Sequence, residues 1–230
     1  MFSAINQLYK SDKCLISSIK IIIFIYNKYT ISMNTTKKLS IEDVRQLASA
    51  YNLEAALIMA VQKVETAGRG GFLSDDRPII LFEGHIFWSQ LKKIGKDPAT
   101  YALGNEDILY PKWTKQHYKG GVGEYTRLNR AIQIDRGAAL RSASWGMFQI
   151  MGFNYRMCSE ASVENFVCKM QQTELIQLQL FMEYIRNSSL LPVLANKDWK
   201  TFASKYNGPG YALNKYDQKL AKAYLECGAL

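Results

Sequence analysis

The chain has 230 residues, of which 48% are hydrophobic and 21% charged, a composition typical of a globular protein with one substantial core. Its net charge of +9 suits a polyanionic partner, such as nucleic acid, an anionic membrane or a bacterial cell wall. Because no block of five basic residues and no zinc-finger, P-loop or RNA-binding signature is present, nucleic acid is the least favoured partner. The four cysteines lack CxxC spacing and histidine partners, so we expect no metal and free thiols, with a Cys158–Cys168 disulfide as the alternative. We expect no cofactor.

Residues 1–32 differ in composition from the rest of the chain and are rich in Ile, Lys, Tyr, Asn and Phe. Their longest apolar run, Ile21–Tyr26, is too short to cross a membrane, so we expect no stable membrane span. Three interpretations stay open: translated upstream sequence, a weak signal or anchor, or a disordered arm. We favour the first, because Met33 is a second plausible start, and we place a single catalytic domain at residues 33–230.

Two helices are predicted at the start of this domain. Ser40 followed by two acids is typical of a helix N-terminus, and an apolar stripe continues to Tyr51. Asn52 is predicted to cap the second helix, whose buried face is indicated by four apolar residues at helical spacing: Leu57, Ile58, Val61 and Val64.

Glu65 falls on the same apolar stripe of the second helix. A carboxylate there is costly unless it is paired, or unless its pKa rises and it stays protonated. The glycines within residues 66–71 predict a turn, which places Glu65 at a helix end where a cleft can open. The alternative is a helix-end acid bonded to the backbone or to Arg69.

A second acid, Glu83, follows the apolar run Pro78–Phe82, and we expect a small β element near residues 70–83. Glycoside hydrolysis uses one neutral carboxylic acid to protonate the leaving oxygen and one charged carboxylate. Glu65 and Glu83 are therefore candidates for this pair. The alternative for Glu83 is an ordinary surface acid.

The rest of the chain is predicted to be helical apart from one long loop. Residues 95–123 are rich in Gly, Pro and aromatics that either stack on sugars or pack the loop onto the core. One long amphipathic helix is expected over Ser162–Asn187, and shorter ones over Asp198–Lys205 and Tyr216–Leu225. The predicted fold class is mostly α with at most the one small β element.

Three separated segments carry a resemblance: VETAGRGGF around Glu65, SASWGMFQIMGFNY at 142–155 and KYNGPGY at 205–211. Together, in this order, they resemble the lysozyme-like superfamily and in particular the N-acetylmuramidase family of phage endolysins. The last two segments are also similar to motifs of goose-type lysozymes and lytic transglycosylases. The resemblance covers the chain from about residue 40 to the C-terminus. The bland interpretation of 142–155 is a buried helix-to-loop packing segment.

The resemblance implies a single lysozyme-like domain that cleaves the β-1,4 bond between N-acetylmuramic acid and N-acetylglucosamine in peptidoglycan. It makes Glu65 the general acid and Glu83 the second carboxylate. It also places five residues along the sugar-binding cleft: Ser144, Phe148, Gln149, Tyr206 and Asn207. Glu65 is followed here by Thr-Ala instead of the commoner Ser-Gly, and no separate wall-binding module is visible.

Two alternatives to this hydrolase remain. A lytic transglycosylase of the same fold uses one acid and the sugar's own 6-hydroxyl, and a non-catalytic peptidoglycan-binding protein keeps the fold without the chemistry. Peptidoglycan is the expected partner in all three cases, and we expect a monomer. The resemblance further implies synthesis in a host cytoplasm and action on the cell wall, in the periplasm or outside the cell.

Overall fold

Ten α-helices account for most of the part of the chain that the computed structural model describes, residues 37–66 and 70–228. The residues from Lys37 onward form one compact unit. The helices are α1 (Ile41–Ala50), α2 (Ala55–Thr66), α3 (Gly84–Lys93), α4 (Val122–Ile134), α5 (Arg136–Arg141), α6 (Val163–Met170), α7 (Glu174–Asn187), α8 (Leu191–Ala195), α9 (Trp199–Asn207) and α10 (Tyr216–Gly228). Three 3-10 turns lie at Pro98–Tyr101, Gly152–Asn154 and Pro209–Ala212. The predicted extension at residues 1–32, and Arg69, lie outside the described residues.

A small antiparallel sheet completes the fold, so the mostly α prediction is confirmed. Its strands are β1 (Ile80–Phe82), β2 (Ala143–Trp145) and β3 (Ile150–Met151), in the order β1-β2-β3. Leu81 pairs with Ser144, and Ser144 pairs in turn with Met151. The predicted element near residues 70–83 therefore contains only the first strand. Strands of two or three residues are too short to show an alternating pattern, which explains why the other two were not predicted.

The start of α1 matches its prediction, whereas the predicted cap of α2 is wrong. The Ser40 side chain accepts from the backbone N–H of Asp43, whose carboxylate accepts from Ser40 in return. Asn52 does not cap α2, which begins three residues later at Ala55. It adopts a left-handed conformation with φ 53°, which Asn tolerates better than most residues, and so closes the end of α1.

The single long helix predicted over Ser162–Asn187 is in fact two helices, α6 and α7. The chain leaves helical geometry after Met170, and the Thr173 side chain accepts from the N–H of Ile176 at 3.2 Å to begin α7. The apolar spacing continues across this break, so periodicity alone does not detect it. The capping hydroxyl competes with the helical hydrogen bonds and ends the regular pattern.

The core lies between the helices and one face of the sheet, and its largest members are Trp145, Phe82, Phe87, Phe166, Phe181 and Phe202. Helix α10 packs against α2 and α9, so the helix that carries Glu65 is covered by the last helix of the chain. Cys158 and Cys227 are buried and Cys168 is exposed, and all three are free thiols. Among the described residues, no helix is both long and apolar enough to cross a membrane.

Candidate active site

Glu65 is the penultimate residue of α2 and is partly buried. The apolar stripe that carries it is anchored by Ile58 and Val61, both fully buried. Nδ2 of Asn207 donates a hydrogen bond to Oε1 of Glu65 at 2.9 Å. Burial raises the pKa of Glu65, and the Asn207 hydrogen bond opposes part of that rise. The site therefore favours a neutral carboxylic acid, the form that can donate a proton.

Helix α9 ends next to this acid and brings two further predicted residues to it. The Tyr206 hydroxyl donates to the backbone oxygen of Phe148 at 2.9 Å. Burial and the nearby Glu65 carboxyl raise the pKa of Tyr206 well above its ordinary value, so the hydroxyl keeps its proton. Oδ1 of Asn207 is buried and has no hydrogen-bond partner among the described residues. Since unpaired buried acceptors are unusual, this oxygen is available to a donor on a bound molecule.

Glu83 directly follows β1 and occupies the N-cap position of α3. Its side chain is 14% exposed, and Nδ1 of His85 lies 3.3 Å from Oε2. The Tyr118 hydroxyl lies 2.8 Å from each carboxylate oxygen of Glu83. Burial and Glu83 raise the pKa of Tyr118, so the phenol stays protonated and donates. The Glu83 carboxyl therefore accepts a hydrogen bond from a phenol and lies at the N-terminus of α3.

Ser144 and Gln149 bond to each other across the turn between β2 and β3. The Ser144 hydroxyl donates to Oε1 of Gln149 at 2.8 Å, and Nε2 of Gln149 donates to the backbone oxygens of Gly146 and Ile79. Phe148 is 2% exposed, and its ring stacks on Phe181 with centroids 4.2 Å apart. The polar groups of Ser144 and Gln149 and the ring of Phe148 thus bind to the protein itself, and they fix the shape of the turn.

The structure connects all seven predicted residues through one series of contacts. Asn207 bonds to Glu65, and its neighbour Tyr206 bonds to the turn between β2 and β3. The same turn is joined to β1, and Glu83 leaves the end of that strand. Hydrogen bonds, strand pairing and the chain itself therefore connect the two acids. The connected residues, in order, are Glu65, Asn207, Tyr206, Phe148, Gln149, Ser144, Leu81 and Glu83.

Two sets of buried polar residues were not predicted. On α7, Glu174 accepts from the N–H of Gly71 at 2.8 Å, and Oε1 of Gln177 accepts from the N–H of Met147 at 2.7 Å. On α4, a buried pair formed by Glu124 and Arg127 lies behind β1. In the sequence these residues are only polar positions on amphipathic helices, and no local pattern distinguishes them from exposed ones. Tyr118 is one of the aromatic residues of the loop over residues 95–123, and its bond to Glu83 was not predicted.

A helical domain with a three-stranded sheet, a partly buried carboxyl at a helix end and a second carboxyl after β1 has the architecture of a glycoside hydrolase of the lysozyme type. The profile of the N-acetylmuramidase family matches residues 54–227. The chain belongs to this family, as the sequence motifs indicated, and it is a peptidoglycan hydrolase.

The fold is also similar to a solved structure, the crystal structure of the Burkholderia AP3 phage endolysin. The TM-score is 0.77 at 36% sequence identity, and the match covers 84% of this chain and 73% of that one. No curated protein matches the chain by sequence.

Proposed function

We propose that the protein is an endolysin that hydrolyses the β-1,4 bond between N-acetylmuramic acid and N-acetylglucosamine. The observation that carries the proposal is the environment of Glu65, an acid whose pKa is raised by burial and whose carboxyl is held by Asn207. A pure binding protein has no use for a carboxyl in such a costly position. Membership of the N-acetylmuramidase family supports the choice of substrate bond.

In the proposed reaction, Glu65 gives its proton to the glycosidic oxygen as the bond from that oxygen to the anomeric carbon breaks. Glu83 acts as the second carboxylate, and it either orients and activates the attacking water or stabilises the cationic sugar. Water adds its oxygen to the anomeric carbon, and its proton leaves to a carboxylate. The Tyr118 hydroxyl supports this assignment, because it donates to the Glu83 carboxylate and holds it in place.

The five remaining predicted residues are proposed to form the sugar-binding cleft in two ways. Asn207 and Tyr206 stand beside Glu65, and the unpaired Oδ1 of Asn207 suits a hydroxyl or acetamido N–H of the glycan. Ser144, Phe148 and Gln149 act through the turn between β2 and β3, whose shape they fix. We also propose a monomer, made in a host cytoplasm, that reaches the wall in the periplasm or outside the cell.

Mass spectrometry of purified peptidoglycan digested by the full chain tests the proposal. We expect reducing N-acetylmuramic acid ends from the wild type and no cleavage by Glu65→Gln, which removes the proton without changing shape. Glu164→Gln is the matched control, since Glu164 is an exposed helical acid of α6 and its variant should remain fully active. Anhydro ends, lighter by one water, would instead indicate a lytic transglycosylase. Binding without cleavage would indicate a non-catalytic protein.

A further inference from the structure

Glu124 and Arg127 form an ion pair inside the protein, on the face of α4 that packs against β1. Their side chains are 0% and 2% exposed, and Nη1 of Arg127 lies 2.7 Å from Oε2 of Glu124. The desolvation of two charges costs more than the pair alone returns unless further hydrogen bonds satisfy both groups. The identity of those further partners therefore indicates what the pair is for.

The Glu124 carboxylate accepts from three backbone N–H groups in two separate segments. Oε2 accepts from Phe82 at 3.1 Å, at the end of β1. Oε1 accepts from Lys119 at 2.6 Å and from Gly120 at 3.0 Å, at the end of the long loop. One side chain thus ties the end of β1 to the end of the loop.

The Arg127 guanidinium joins the same strand to an earlier part of the same loop. Nη1 donates to the backbone oxygen of Phe82 at 2.8 Å, and Nη2 and Nε donate to that of Asp107 at 2.8 and 3.1 Å. Nη2 also lies 3.3 Å from the Tyr110 hydroxyl, which accepts from the N–H of Gly84 at 3.3 Å. The planar fork of an arginine satisfies all of these acceptors at once, which a lysine cannot do.

The backbone groups that the ion pair holds lie next to Glu83, the proposed second carboxylate, and next to Tyr118, its hydrogen-bond donor. Phe82 and Gly84 are the chain neighbours of Glu83, and Lys119 is the neighbour of Tyr118. Glu83 and Tyr118 make no described bond to the ion pair themselves.

From this arrangement we propose that Glu124 and Arg127 are positioning residues, which hold Glu83 and Tyr118 at hydrogen-bonding distance. The inference rests on the role proposed for Glu83. It assigns to a buried ion pair the alignment of a catalytic carboxylate with its donor, in addition to any contribution to stability.

Two single variants of the full chain test the proposal. Glu124→Gln removes an acceptor for Phe82, and Arg127→Lys keeps the charge but loses the fork that reaches Phe82 and Asp107. For folded protein, measured well below the melting temperature, we expect kcat to fall roughly 10- to 100-fold, because a small misplacement of reacting groups has this effect. KM should stay within about twofold, since the sugar contacts proposed for Asn207 and Tyr206 are untouched. If Glu124→Gln does not fold, Arg127→Lys decides.

A double-mutant cycle separates positioning from general stabilisation. Tyr118→Phe removes the hydroxyl that donates to Glu83. In this variant the ion pair has no hydrogen bond between Glu83 and residue 118 to align. The kcat loss of Arg127→Lys combined with Tyr118→Phe should therefore not exceed the larger single loss by more than about threefold, which is clear non-additivity. Glu160→Gln is the control, because Glu160 is the buried partner of Lys169 in another ion pair. This variant should lower the free energy of unfolding and leave kcat unchanged.

Three results would overturn the proposal, and they separate it from the proposed function. Unchanged kcat in both ion-pair variants, with Glu83→Gln inactive, would refute the positioning role alone. Fully multiplicative losses in the cycle would do the same. A fully active Glu83→Gln would remove Glu83 from the reaction and the positioning role with it, while an inactive Glu65→Gln would still support the hydrolase.

Discussion

At the scale of single residues, Glu65 and Asn207 form the contact on which the proposed chemistry depends, although 142 positions separate them in the chain. The raised pKa of Glu65 means that the folded protein holds this proton more tightly than the unfolded chain does. The charged form therefore destabilises the fold. This destabilisation by the charged form of Glu65 is absent at pH values below the ordinary pKa of about 4.5 and complete at pH values above the raised pKa.

Glu65→Gln should accordingly be more stable than the wild type at pH 7 and equal to it at about pH 3.5, because glutamine has no proton to lose. Chemical denaturation at both pH values measures the free energy of unfolding. A difference of equal size at both pH values would show that the amide changes packing and not ionisation.

Asn207→Leu should move the alkaline limb of the pH–rate profile to higher pH. The Asn207 hydrogen bond favours the charged form of Glu65, so its loss raises the pKa further and keeps the general acid protonated for longer. Residual hydrolysis followed across pH reports the limb. Asn165→Leu, at an exposed position of α6, should leave the limb unchanged. A shift toward lower pH would contradict the assignment of Glu65 as the acid.

Single candidate residues can be predicted from the sequence more easily than the residues that they contact. Glu65 was predicted because a carboxyl on an apolar helix stripe has an evident energetic cost. Its role as the general acid stays a prediction. The bond from Tyr118 to Glu83 joins residues 35 positions apart through a long loop, and no local propensity encodes such a contact. Glu124 and Arg127 are only three positions apart, but their burial depends on contacts with Phe82 and Asp107, which lie far from them in the chain.

At the scale of elements, Gln177 of α7 joins three parts of the fold. It is fully buried, and besides Met147 it bonds to the backbone oxygens of Met170 at 2.9 Å and Gly71 at 3.4 Å. It thereby connects the end of α6, the turn between β2 and β3, and the segment that follows the helix of Glu65.

Gln177→Leu should lower the free energy of unfolding by about 2–5 kcal/mol, because it leaves several buried backbone groups without partners. Urea denaturation followed by circular dichroism measures the change. The same substitution at Gln218, on the exposed side of α10, should change stability by no more than about 0.5 kcal/mol. Equal losses in the two variants would mean that the buried amide makes no special contribution.

Most helices were predictable because their apolar spacing is regular, whereas their ends and the short strands were not. The break between α6 and α7 depends on Thr173, which caps α7 but whose presence in a sequence does not by itself end a helix. Strand β2 pairs with β1 across some sixty positions and β3 adds to β2, so this sheet exists only in the folded molecule. Tertiary contacts, not local preferences, decide such elements.

At the scale of the whole molecule, the net charge of +9 gives the surface a long-range attraction for anionic wall polymers. Binding to purified cell walls should therefore weaken markedly between 0.1 and 1 M salt, over which the screening length falls from about 10 to about 3 Å. A pull-down assay with cell walls measures it. Glutamine substitutions at five exposed lysines should flatten the salt dependence: Lys200, Lys205, Lys215, Lys219 and Lys222. Binding that is indifferent to salt would contradict an electrostatic attachment.

The packing of α10 on α2, and the bond from α9 to Glu65, have a consequence for synthesis. Glu65 is synthesised before the amide of α9 that binds its carboxyl and before α10, the helix that covers α2. A chain on the ribosome that still lacks α9 and α10 therefore contains Glu65 without its hydrogen bond to Asn207 and without the helix that covers α2. We expect activity to need α9 and α10, so a fragment that lacks these two helices should be inert toward the wall.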